Sequence, residues 1–208
     1  SNAWRMEPGV PLVVSQVNPD DAAGHEGIIA NPNCSTMQLA PVLMALRDSV
    51  GLERVVVDTY QSVSGTGGEA IAELESQIRA HAAGTPKEAS VYPHPIAFNA
   101  IPEIDVFLEN GYSREEWKVV TENRKILHLP DLPFAATCVR VPVAVGHAEV
   151  VHLEFDGPAP IAALNRALQA AAGIEVITDP TKYITPLEIA GDDRAFVARL
   201  RPDRTVEH

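Results

Sequence analysis

Two strand-like runs, AATCVRVPVA and AEVVHLEF, follow one another with only Val145, Gly146 and His147 between them. Both are rich in β-branched and apolar residues, and a junction that short has no room for a crossover helix. A chain that sets strands back to back is not a strict βαβ repeat. It points to an α+β domain, with a mixed, largely antiparallel sheet and helices on one face. The other segments fit that class. ERVVVDTYQ reads as a buried strand, SVSGTGGEA as a glycine-rich turn and AIAELESQIRAHA as a helix. PLVVSQV reads as an early strand. A helix near 160–172, a short strand around 175–177 and a last strand in RAFVARLR complete the pass.

Helix starts can be read more closely. STMQLAPVLMALRDSV has apolar residues at helical spacing and opens with Ser35 and Thr36, hydroxyl residues that cap helices. Pro41 falls in its first turns, where proline does least harm. SREEWKVVTENRKIL offers a capping box, Ser113 with Glu116 three residues on. Between the helices, GTPKEASVYPHPIAFNAIPEID holds four prolines and no sustained period, the pattern of an ordered extended loop.

Composition removes several function classes. The net charge is −12 with no compensating basic cluster, which disfavours a nucleic-acid backbone or an anionic membrane surface. No apolar run reaches the ~18 residues of a membrane span, and no signal-peptide pattern opens the chain. The two cysteines, Cys34 and Cys138, show no metal-ligand spacing and no disulfide framework, so no metal is expected and a reducing cytoplasm fits best.

Some residues could carry chemistry. Cys34 stands in NPNCST where a loop becomes a helix, a place where unpaired amides and the helix dipole favour a thiolate. It could equally be a small residue packing a helix start. Cys138, inside an apolar strand, reads as structural. His147, at the tight junction between two strands, can be aimed into a cleft. Arg140 sits in an apolar strand and needs an anion, either a structural carboxylate or a substrate's. Glu115 and Lys118, three apart on one helix, read as an ion pair at the surface. Gln61 is polar at the end of a buried strand.

In order, the blocks NPNCST, TYQSVSGTGG, PIAFNAIPEID, EEWKVVTENRKIL and ATCVRVPVAVGHAE resemble the catalytic and dimerisation domain of aspartate-semialdehyde dehydrogenases. Phe134 departs from the pattern, where an aliphatic residue is usual, and touches packing only. The resemblance implies a glyceraldehyde-3-phosphate-dehydrogenase-like C-terminal domain, a homodimer, and NADP-dependent interconversion of L-aspartyl 4-phosphate with L-aspartate 4-semialdehyde and phosphate. By the same resemblance Cys34 is the nucleophile, His147 the acid/base, and Gln61 orients the acyl group. Arg140 would bind the substrate α-carboxylate, Glu115 its α-ammonium and Lys118 the phosphate, with Asn33 lining the pocket. Ser64 and Gly65 would approach the nicotinamide.

The same family opens with a Rossmann domain that holds most of the NADP site and a further phosphate-binding arginine. Residues 1–3 are expected to be an expression-tag scar, 4–32 the tail of that domain and a hinge, and 33–208 the catalytic and dimerisation domain. On this expectation the chain by itself is inactive. Two other readings stay in view. One is a dimerisation module without activity. The other is a related reductase of the N-acetylglutamyl-phosphate type, which the charge of Glu115 disfavours because an acetylated amine is neutral.

Overall fold

A computed structural model describes residues 2–206. Its central strand is β1 (Arg54–Gln61). Val55 and Val57 of β1 are fully buried, so this strand needs a neighbour on each edge. β2 (Phe134–Arg140) lies parallel on one side and β3 (Ala148–Glu154) antiparallel on the other. The mixed α+β class is therefore present. The two consecutive strands do not pair with each other, however: β1 separates them in the order β2-β1-β3. A second small sheet pairs β4 (Ile174–Ile177) with β5 (Ala195–Ala198) in parallel. Of the three strand pairings among the described residues two are parallel and one antiparallel, as in a mixed sheet.

Helices cover one face of the main sheet. α1 (Cys34–Val50) buries Leu39, Ala40, Leu43 and Leu46, and α3 (Arg114–Ile126) buries Val119, Val120 and Ile126. α3 packs on β2, while α1 packs against α3 and α4 (Ile161–Ala170). The capping box forms at α3, and its Glu116 Oε1 also accepts the Cys138 amide at 3.0 Å, tying the helix start to β2. α5 (Pro186–Ile189) is a single turn near the end. The opposite sheet face stays open, with Tyr60 and Val150 exposed.

At α1 the cap is Asn33, two residues before the expected start. Its side-chain oxygen accepts the Ser35 amide at 2.8 Å, while Ser35 and Thr36 are buried inside the helix. The first helical residue is therefore Cys34. PLVVSQV does not form a strand either. Leu12 makes one bridge with Ala30, and the chain then turns, with Asn18 accepting from the Val14 amide and donating to the Leu12 carbonyl. Leu12, Val14 and Val17 still enter the core, so the apolar pattern reports burial while the Asn18 side chain dictates the turn.

The proline-rich loop is held by polar side chains of α2 (Gly68–Ala82). Gln77 accepts the amides of Ile96 and Ala97, and Glu73 accepts those of Ser90 and Val91. Ile96, Ala97 and Ile101 form a second small core with Val63, Ala70 and Leu74.

Leu43 has no exposed surface at the centre of the main core. Leu43→Ala is expected to cost about 2–5 kcal/mol. Urea unfolding should show a lower midpoint with an unchanged slope.

Candidate active site

The side chains of the covered sheet face line up in rows across the three strands. Phe134, Val55 and Leu153 form the first, and Ala136, Val57 and Val151 the second. The third is Cys138, Thr59 and Glu149. A fourth pairs Arg140 with Gln61, and His147 stands one residue before the last antiparallel pair, Tyr60 with Ala148. Polarity thus rises toward the C-terminal end of the two parallel strands. There the row meets the start of α1.

This juncture brings His147 to Cys34, with Nε2 3.3 Å from Sγ. A backbone amide can only donate, and the Ser62 N–H points at His147 Nδ1 at 3.1 Å. Nδ1 is therefore the acceptor, and the proton of the neutral ring sits on Nε2, facing the sulfur. An imidazolium would set two donors against each other at Nδ1. Burial, then the Arg140 charge, push the His147 pKa down to about 4. The ring is neutral at physiological pH.

Cys34 is open to solvent but crowded by the walls of the cavity. Burial and then the Glu115 charge push its thiol up, and they prevail over the Ser35 amide and Arg140, which favour the anion. The standing thiolate expected from a helix N-terminus is thus corrected: a nearby carboxylate and desolvation outweigh the dipole. Instead, a neutral imidazole N–H waits beside the sulfur to stabilise the anion when it forms. Cys138 is sealed in the core, and burial raises it to about 12.

A cavity of about 480 Å³ opens on the sulfur, walled by Asn33, Gln61, Glu115, Lys118 and Arg140 among others. Glu115 Oε1 accepts from Asn33 Nδ2 at 2.7 Å and Gln61 Nε2 at 3.2 Å, and Lys118 Nζ lies 3.6 Å from Glu115 Oε2. This is no solvated surface pair, because Glu115 is buried and Lys118 nearly so. Lys118 also meets Asp105 at 2.9 Å. Arg140 is buried, donates to the Ser62 carbonyl at 2.7 Å and lies over the Tyr92 ring. Gly65 also lines the cavity, and Ser64 Oγ lies 3.0 Å from Ser62 Oγ.

Every site residue singled out in the sequence belongs to this neighbourhood. Three contributors were missed. Arg5 lines the cavity, although it lies in a segment read as the tail of another domain. Asp105, in a left-handed conformation, anchors Lys118. Glu122 lies seven residues after Glu115 on α3, and that helical spacing was the available signal. Among the described residues no group of His, Cys, Asp and Glu could hold a metal, and no helix is long and apolar enough to cross a membrane.

The α+β domain has a glyceraldehyde-3-phosphate-dehydrogenase-like fold. Residues 43–208 match the family model described as semialdehyde dehydrogenase, dimerisation domain, and the chain belongs to that family. It is 47% identical to the aspartate-semialdehyde dehydrogenase of Aquifex aeolicus, a match that spans 100% of this chain and 62% of that protein. The crystal structure of aspartate semialdehyde dehydrogenase II from Vibrio cholerae, complexed with ASA, superposes with a TM-score of 0.95 at 42% identity, over 98% of this chain and 61% of that one. The aspartate semialdehyde dehydrogenase of Candida albicans, solved with NADP, gives a TM-score of 0.72 at 25% identity, over 100% and 62%. The chain therefore spans about three fifths of the length of these relatives.

In the folded protein a thiol reagent should label Cys34, and Cys138 only after unfolding. The Cys34 rate should keep climbing through about pH 9, because its thiol is shifted upward from the ordinary cysteine range. His147 is neutral above about pH 4, so no reactive plateau belonging to a thiolate–imidazolium pair is expected between pH 5 and 7. A plateau there would contradict the assigned tautomer.

Proposed function

We propose that this chain is the catalytic and dimerisation part of an NADP-dependent aspartate-semialdehyde dehydrogenase. It would interconvert L-aspartyl 4-phosphate with L-aspartate 4-semialdehyde and phosphate. This is a cytoplasmic step of lysine and diaminopimelate, methionine and threonine biosynthesis. Residues 33–208 would form the domain itself, with 4–32 leading into it. The observation that carries the reading is the 3.3 Å contact of Cys34 Sγ with His147 Nε2 inside a cavity that holds cations and an anion together.

The charge pattern matches an amino-acid substrate. Arg140 suits the α-carboxylate as a planar fork, and Glu115 suits the α-ammonium. Lys118 and Arg5 supply positive charge for phosphate. Gln61 and Asn33 orient the acyl group beside the sulfur.

In the reductive direction the Cys34 thiol gives its proton to solvent at the open side of the cavity, and the resulting thiolate, hydrogen-bonded by His147 Nε2–H, attacks the acyl carbon. A C–S bond forms as the C–O bond to phosphate breaks, and phosphate leaves toward Lys118 and Arg5. NADP, when bound in its reduced form, supplies the hydride. After hydride addition the oxyanion collapses to the aldehyde and the C–S bond breaks; the sulfur leaves as a thiolate that accepts a hydrogen bond from the neutral His147 Nε2–H and regains its proton from solvent. Gly65 fits the approach of a flat ring, because a Cβ there would stand 3.1 Å from His147 Nε2 and 3.2 Å from Arg140 Nη1. Ser64 flanks the same approach.

A homodimer follows the same reading. The open sheet face, with Tyr60 and Val150 exposed beside partly buried Val56, suits a second copy of the chain. A dimerisation module without catalysis would use that face equally well, but it gives the charged cavity no task.

The full-length protein, given L-aspartate 4-semialdehyde, phosphate and NADP, should produce NADPH. Cys34→Ala should lower that rate by about 10³-fold or more while the fold persists. An N-acetylated semialdehyde should be a poor substrate, since it leaves Glu115 without a cation. Absence of NADPH formation, or preference for the acetylated compound, would overturn the assignment.

A further inference from the structure

Glu115, Lys118 and Glu122 lie at i, i+3 and i+7 on α3 and so share one helix face. The first two wall the cavity, but Glu122 does not. It sits behind the wall, only 1% exposed. Its two oxygens face different partners. Oε2 accepts the Asn33 backbone amide at 2.6 Å, and Oε1 accepts from Arg5 Nη1 at 3.2 Å. Asn33 caps the helix whose first residue is Cys34, and Arg5 lines the cavity. Arg5 has a second tie, from Nε to the Asn31 carbonyl at 3.0 Å.

One buried carboxylate therefore bridges a cavity cation and the start of the nucleophile's helix. A buried carboxylate is costly unless paired, and burial does push Glu122 upward in pKa. Its retention at this point calls for a purpose beyond packing. We propose that Glu122 is a positioning residue: it fixes the Arg5 guanidinium relative to the N-cap of α1, and so sets where phosphate lies with respect to the Cys34 sulfur. The inference rests on the dehydrogenase reading above. It adds a residue that touches neither substrate nor the reacting atoms.

The test uses the full-length enzyme in the oxidative direction, varying phosphate and semialdehyde separately. Glu122→Gln keeps the shape and removes the charge that holds Arg5. It should raise the KM for phosphate about tenfold, the size of one charged hydrogen bond, while the semialdehyde KM stays within about twofold. Arg5→Ala should raise the phosphate KM at least as far. In the Arg5→Ala background Glu122→Gln should add nothing further, because its effect runs through Arg5.

Glu122→Asp, which keeps the charge but shortens its reach, is the second variant and should also raise the phosphate KM selectively. Additive effects of Glu122→Gln and Arg5→Ala, equal shifts in both KM values, or failure of both Glu122 variants to fold would show a merely structural residue and overturn the proposal. An enzyme that responds to phosphate while Glu122→Gln leaves the phosphate KM unmoved overturns this proposal alone. An unsubstituted enzyme indifferent to phosphate removes the dehydrogenase reading, and the proposal falls with it.

Discussion

The register between β1 and its two neighbours is the constraint on which the site depends. Side chains alternate faces along a strand, so a slip of one residue would send Arg140 or His147 to the open face. The ladder is fixed at the bottom by Phe134, Val55 and Leu153 and by the row above them. Burying those apolar rows under α1 and α3 determines which face every later residue takes. Arg140, Gln61 and His147 are polar passengers on a register chosen by hydrophobic burial. The same register explains why β1 lies between two strands adjacent in sequence: the residues from Val141 to His147 can pass over its end, and β1 needs both edges satisfied.

Charge around the start of α1 is organised against the simplest expectation. A helix N-terminus favours an anion, and the protein places carboxylates there besides the thiol. Glu122 takes the Asn33 amide, and Glu115 holds the Asn33 side chain from the other side. The positive end of the helix is thus shared, and Cys34 rests as a thiol. Compensation comes from the imidazole. With the Ser62 amide on Nδ1, the ring can do only one thing for the sulfur in its neutral form: donate from Nε2. Burial and Arg140 keep it in that form. Thiol and donor are therefore matched without a charge on either.

Much of this was legible in the sequence. The capping box of Ser113 and Glu116, the valine-rich β1 and the glycine turn are local signals, and each stands where the residues indicated. The ordered motifs carry Asn33, Cys34, Gln61, Glu115, Lys118 and Arg140, which the fold gathers around one cavity. What escaped depended on contacts distant in sequence. PLVVSQV carries strand-like apolar residues, yet Asn18 closes it into a turn. Arg5 and Glu122 are 117 positions apart and meet only in the fold. The Cys34 pKa could not be read from its helix position, because Glu115 reaches it from another helix 81 residues on. Ser35 and Thr36 looked like caps because both residue types cap helices; Asn33 has the same ability and comes first.

The polar atoms left without partners show where recognition is concentrated. Among the described residues, Arg140 Nε and Gln61 Oε1 are buried and unpaired, and both belong to the row beside the sulfur. Each such atom costs about 1–3 kcal/mol in a folded protein, and natural structures hold few of them. Thr59 Oγ1 and Glu149 Oε1 lie one row deeper and share the condition, with burial raising the Glu149 carboxyl to about 8 so that it is largely neutral at pH 7. Rows of valine and leucine below carry no such cost. On the sheet these unpaired atoms collect at one end, against the cavity, where a ligand bearing a carboxylate for Arg140 Nε and an N–H donor for Gln61 Oε1 could pair them; Asn123 Oδ1 and Asn165 Oδ1 are unpaired on the helices. Specificity then follows from the same source: a molecule that cannot satisfy Arg140 leaves that cost in place and binds correspondingly more weakly.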